Sequence, residues 1–161
     1  MASTYEPIYT TTLSSSASSI TFSSVPQTYT DIIVSTVLTS TGGNQIVGAR
    51  FNSDTGSNYS RTGLRGVGSA AETFTFGNES YLYSIAFAYP YVSNSLIHIM
   101  NYSNTTTYKT ILSRHNAAQN VTEVTTGLWR NTNAISTISL TISGNDFASG
   151  STFTFYGIKA A

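Results

Sequence analysis

The sequence predicts an all-β chain, an antiparallel β-sandwich of jelly-roll type with about ten strands and no significant helix. Three observations carry this prediction. Apolar residues recur at period two over most of the chain. β-Branched and aromatic residues are abundant, with eleven Tyr, eight Phe and one Trp. Gly, Asn, Asp and Ser break the alternating runs at short intervals, as turns require. No window carries the period of an amphipathic helix, and parallel strands would need helical crossovers that are not visible.

Taken in order, the alternating runs place strands at Ser19–Ser23, Thr30–Ser40, Ile46–Phe51, Tyr59–Leu64, Glu72–Phe76, Tyr81–Ala88, Ser95–Tyr102, Thr107–Arg114, Glu123–Arg130, Ala134–Ser143 and Ser151–Ile158. Turn residues separate them at Thr41–Gly43, Asn52–Asn58, Ser103–Thr106 and Ser143–Asp146. The hairpin from Ile97–Tyr102 to Tyr108–Leu112 is the clearest local unit. In Ser95–Tyr102 the set Leu96, His98, Met100 and Tyr102 opposes Ile97 and Ile99, so both faces are largely apolar and the strand is expected to be central. Ile138, Leu140 and Ile142 alternate with Thr137, Ser139 and Thr141, which predicts one buried and one wet face. Phe153 and Phe155 oppose Thr152, Thr154 and Tyr156 in the same way.

Residues 1–18 differ in character, with Pro7, Tyr5 and Tyr9 followed by a Ser/Ala tract; they read as an N-terminal arm or an edge segment. Residues 19–161 read as the sandwich domain. A chain of 161 residues is one ordinary domain. At this size roughly 70% of the extended surface is hidden on folding, so a core forms without staples.

Composition excludes several functions. There is no cysteine, hence no disulfide, thiolate metal site or cysteine nucleophile. Only 9% of residues are charged, and seven basic side chains balance seven acidic ones. Without a basic cluster neither nucleic acid nor an anionic membrane is an expected partner. Near-zero net charge on a hydroxyl-rich surface favours association. No apolar run is long enough to cross a bilayer as a helix, and the opening MASTYEPIYTTT lacks the basic and apolar segments of a cleaved export signal. The expectation is a soluble protein assembled in the cytoplasm.

Catalysis needs titratable groups that converge, and few are present. His98 lies inside an apolar strand, where a hydrogen-bonded core imidazole is expected; His115 follows Arg114 at a strand end, as a solvated turn residue would. No G-x-S-x-G elbow occurs, and Glu6, Asp31, Asp54, Glu72, Glu79, Glu123 and Asp146 stand singly. The stretch Asn52–Asn58 has a calcium-loop look but carries one acid, and a hairpin loop with an Asx-turn explains it. Asn-X-Ser/Thr triplets at Asn58, Asn78, Asn101, Asn104 and Asn120 are expected by chance in so Asn- and Thr-rich a chain. The chain therefore reads as a non-enzyme without catalytic residues, cofactor or metal. Contact residues are the remaining candidates: Tyr81, Tyr83, Tyr89, Tyr91 and Trp129, as sugar-stacking platforms, core or subunit contacts, with Tyr5 and Tyr9 in the terminal segment.

The strings Gln27–Ile32, Arg50-Phe51-Asn52 with Asp54–Ser60, His98–Ser103, Gly127–Arg130 and Gly150–Ile158 resemble a family of small virion structural β-domains from tailed, environmental and marine bacteriophages. The resemblance spans Thr28 to Ile158. It implies a jelly-roll component of the particle, with no catalytic or metal residues to carry over. The expected function is an outer capsid decoration or head-fibre subunit on the virion surface. Its partners would be other capsid or tail proteins and its own copies, as a homotrimer. The alternative is a tail-fibre-type module that attaches to a host surface carbohydrate.

Overall fold

A computed structural model describes residues 4–119 and 121–159. Asn120 of the triplets and the first three residues of the terminal segment lie outside them. Twelve strands follow one another: β1 Tyr5–Thr12, β2 Ser19–Ser23, β3 Asp31–Leu38, β4 Gln45–Phe51, β5 Tyr59–Val67, β6 Ala70–Glu79, β7 Leu82–Ala88, β8 Ser93–Met100, β9 Lys109–Ala117, β10 Val121–Trp129, β11 Thr137–Ile142 and β12 Thr152–Ile158. No helix occurs among the described residues.

The strands form two sheets, one of eight in the order β1-β12-β3-β8-β9-β10-β5-β6 and one of four in the order β2-β11-β4-β7, with antiparallel pairing throughout. From β2 to β8 the chain alternates between sheets, apart from the hairpin β5–β6, and β11 then returns beside β2. The two sets β1-β12-β3-β8 and β2-β11-β4-β7 have the strand order of a jelly roll, and β9, β10, β5 and β6 extend the larger sheet beyond β8. The terminal segment is thus an edge strand: β1 pairs with β12 from Tyr5↔Ile158 to Thr12↔Thr152.

Alternation sets the faces. Ile138, Leu140 and Ile142 point inward from β11, and Phe153 and Phe155 from β12. Ile97 and Ile99 are buried on β8, which lies centrally between β3 and β9. The expected hairpin forms as β8–β9, and it pairs Met100 with Thr110 and Ser93 with Ala117. Aromatic side chains fill the space between the sheets. Tyr9, Phe22 and Phe155 cluster at 4.9–5.8 Å between centroids, Tyr9 stacked on Phe22 and edge-on to Phe155. Phe51, Tyr59 and Trp129 form a second group at 5.6–6.3 Å. Each large side chain buried in this way contributes about 1.5–3 kcal/mol.

Close sheet packing also demands a missing side chain. A Cβ on Gly127 of β10 would lie 2.6 Å from Leu82 Cδ1 of β7, so glycine lets the two sheets approach there.

Two histidine expectations are corrected. His98 is on the outer face of β8, a third exposed, with Nε2 at 2.8 Å from Asp31 Oδ2. His115 is the enclosed one, because β9 continues past Arg114 to Ala117 and alternation turns His115 inward. The Asn52–Asn58 stretch holds an Asx-turn but is an arch between sheets, joining β4 to β5, and not a hairpin loop.

Candidate functional site

Three places could carry function: a polar row inside the sandwich, an aromatic belt at one side, and the outer face of the eight-stranded sheet. The interior row comes from register. Glu72, Arg65, Glu123, His115, Ser95 and Thr36 lie opposite one another across β6, β5, β10, β9, β8 and β3. At its centre Glu123 Oε1 accepts from Ser84 Oγ at 2.7 Å and Thr125 Oγ1 at 2.9 Å. His115 Nε2 stands 3.3 Å from the same oxygen, off the hydrogen-bond direction but close enough to interact by charge. Arg65 Nε lies 3.9 Å from Oε2. Burial alone would raise the Glu123 carboxyl; His115, Ser84 and Thr125 outweigh it and hold the group below its ordinary 4.5.

This row encloses a carboxyl group held by hydroxyl donors. The Ser84 hydroxyl donates to the carboxylate, where a serine nucleophile would have to donate to the imidazole. Phe87 covers His115 edge-on at 4.4 Å. Among the described residues no three His, Asp or Glu side chains gather in metal-binding geometry. Several buried atoms of the row, Thr36 Oγ1, Ser95 Oγ, His115 Nδ1 and Glu123 Oε2, accept or donate no hydrogen bond within the chain. A second enclosed charge sits at the other end of β9. Lys109 Nζ donates to the carbonyls of Thr107 at 2.8 Å and Thr132 at 3.1 Å, and burial pushes its pKa down. Neither group was legible as an interior residue.

The aromatic candidates separate. Trp129 is fully enclosed, its Nε1 donating to Asp54 Oδ2 at 2.7 Å, so its ring has no free face. Asp54 also accepts from Gly56 N and Asn58 Nδ2. Burial raises the Asp54 carboxyl, but these donors outweigh it and leave the group low. Tyr89 is 7% exposed and packs on Phe87 at 5.5 Å, with Tyr91 against it at 5.3 Å. Tyr9 belongs to the core, while Tyr5 is exposed and meets Tyr156 edge-on.

Tyr81 and Tyr83 remain at the surface, their rings 4.3 Å apart. Tyr81 lies flat over Gly48, where a Cβ would approach to 2.5 Å, and Arg50 stands 5.5 Å from its ring. Arg61 sits over Phe76 at 4.2 Å, Phe74 at 5.1 Å and Tyr83 at 5.7 Å, and pairs with Glu79 at 3.0 Å. Phe74 and Phe76, part of this belt, were not singled out by sequence. Their signal was available in the Phe-Thr-Phe alternation of β6.

The outer face of the large sheet is the broadest of the three. Leu64 and Val124 are cross-strand neighbours, 56% and 46% exposed, and Leu112 on β9 is 39% exposed. Threonine and serine fill most other outward positions of β5, β9 and β10. Arg114 and Asp31, the latter 2.8 Å from His98, are the basic and acidic side chains on its central strands. Two shallow depressions lie on it, of about 390 Å³ beside Ser35, Leu96 and Arg114 and about 550 Å³ beside Thr62, Leu112 and Thr126. Such a surface, apolar and hydroxylic with little charge to desolvate, suits macromolecular contact.

No protein-family model and no curated protein matches the chain. Among solved structures, the exo-inulinase from Aspergillus awamori is similar at 12% identity and a TM-score of 0.40, over 96% of this chain and 29% of that one. The chain thus spans under a third of that protein's length, and a likeness at this level carries no argument about activity.

Proposed function

We propose that this chain is a virion structural protein, an outer capsid decoration or head-fibre subunit that acts by assembly and surface contact and performs no chemistry. The observation that carries this reading is the outer face of the eight-stranded sheet, where Leu64, Val124 and Leu112 stand exposed among hydroxyl side chains. The resemblance of Gln27–Ile32, Asp54–Ser60 and Gly150–Ile158 to small phage virion domains points the same way. The engagement of Ser84 with Glu123 agrees with a non-catalytic role.

The test is incorporation. Purified particles should contain the wild-type chain by mass spectrometry, and the double substitution Leu64→Glu, Val124→Glu should remove it while leaving the circular dichroism spectrum unchanged. Both positions are exposed, so the fold has little to lose. Normal incorporation of the double variant would count against the outer face as the docking surface.

The alternative is a module that recognises host surface carbohydrate, and the belt of Phe76, Tyr81 and Tyr83 with Arg50 and Arg61 favours it. Flat aromatic rings flanked by guanidinium donors can stack on a sugar and bond its hydroxyls. Titration calorimetry against host polysaccharide would show binding that Tyr83→Ala abolishes. No heat at millimolar sugar would remove this reading.

A further inference from the structure

We propose that β6 is a pairing edge, through which two copies of this chain join in antiparallel fashion about a two-fold axis at Thr73, running their eight-stranded sheets into one another. The inference is independent of the virion reading and begins from how the other edges are closed. β1 carries Pro7, which has no N–H to offer, and its register shifts between Pro7 and Tyr9. β2 has five residues. β7 is buried along nearly its whole length and interrupted by Ser84 at φ 52°. β6 is the least guarded: it runs ten residues, has neither proline nor lysine, and is exposed at all positions except Phe74 and Glu79, while its irregularities, Asn78 at φ 59° and a register shift, lie beyond Phe76.

Hairpin geometry says which of its backbone groups are free. Val67 and Ala70 close a two-residue turn at Gly68-Ser69, with Gly68 at φ 58°. The closing pair of such a turn is hydrogen-bonded, so Ala70, Glu72, Phe74 and Phe76 direct their N–H and C=O groups to β5. Ala71, Thr73 and Thr75 direct theirs outward. The register with β5 is unbroken over Ala70–Phe76 and shifts only beyond it. An axis at Thr73 overlaps that whole stretch with its copy. Thr73 then faces Thr73 of the other copy, and Ala71 faces its Thr75, all through outward-directed groups.

The side chains agree with a self-pairing. Like charges on an edge would repel a second copy, but Glu72 is held by Arg65 at 2.7 Å and Glu79 by Arg61 at 3.0 Å. On the inner face Phe76, 47% exposed, would be covered by Ala70 of the other copy. On the outer face hydroxyl pairs already join neighbouring strands, Thr62 to Thr75 at 3.2 Å and Thr12 to Thr152 at 3.1 Å, and Thr73 across the axis continues that pattern.

Sedimentation equilibrium of the full chain at high micromolar concentration should show a dimer. Thr73→Lys should weaken it by roughly tenfold or more, since two ammonium groups then meet across the axis. Because the chain has no cysteine, Thr73→Cys gives a second readout that does not depend on the lysine variant folding. Opposed residues of a hydrogen-bonded pair have Cα atoms about 5.5 Å apart, within disulfide range. Oxidised glutathione should therefore link Thr73→Cys into a covalent dimer and leave Thr126→Cys, on the same face of β10, unlinked. A monomer, a trimer, a dimer indifferent to Thr73→Lys, or equal linking of the two cysteine variants would each overturn the proposal.

Discussion

Glu123 concentrates the residue-scale physics of this protein, a carboxyl group enclosed between two sheets that accepts from two hydroxyls, with an imidazole at 3.3 Å and a guanidinium at 3.9 Å. Removing one partner of a buried pair strands the others, so Glu123→Ala should cost about 3–5 kcal/mol in urea denaturation at neutral pH. Its lowered pKa fixes the sign of a pH effect. The stabilisation is complete above the ordinary carboxyl value of 4.5 and is lost as the pH falls through the lower folded value. Asp54, also held low, adds an effect of the same sign. Glu123→Gln should flatten the acid limb of stability against pH relative to wild type; an unaltered limb would show that the carboxylate is not ionised in the fold. Asp54→Ala leaves the enclosed Trp129 N–H without its acceptor and should cost about 1–3 kcal/mol, read from the fluorescence of this single tryptophan. The interior row was not legible in the sequence for a physical reason. On β9 the inward set Lys109, Ile111, Ser113, His115 and Ala117 is as polar as the outward set Thr110, Leu112, Arg114 and Asn116. Alternation reveals a face only where the two sets differ in polarity, and here the contact of His115 with Glu123 stands in place of an apolar one.

At the scale of elements the reading from sequence is strongest where one face is apolar and the other hydroxylic. β11 and β12 come out with their faces, and β2 and β12 with their ends to within a residue, because Ile, Leu and Phe alternate with Ser and Thr. β1 reads as either arm or edge, since Tyr, Pro and Thr give no clean alternation and its pairing depends on the distant β12. β6 came out short at both ends for a related reason: an edge strand exposed on both faces has no burial to set its periodicity. Glycine marks where elements approach most closely. Gly127→Ala would push a methyl into Leu82, which lies in the opposite sheet, and should destabilise the domain by about 1–3 kcal/mol in thermal or urea melts. Gly77→Ala, with open space around the added Cβ, is the matched control and should be near neutral. Equal losses at the two positions would mean that the sheets are not held at the separation described.

Across the whole molecule the two sheets are unequal, and that inequality makes the surface. A four-stranded sheet covers the inner side of only part of an eight-stranded one, so the β5–β6 hairpin projects beyond it with Phe76 exposed on the inner face. A chain with seven positive and seven negative side chains has little charge with which to keep such surfaces apart. Docking, to copies of itself and to a larger particle, is the use that this distribution suits. The most direct measurement is a reconstruction of the intact particle at a resolution that shows strands. The account predicts a twelve-stranded sandwich repeated on the outside of the particle, with Leu64, Leu112 and Val124 buried against a neighbour. Particles that lack the chain altogether, or hold it with that face open to solvent, would contradict it.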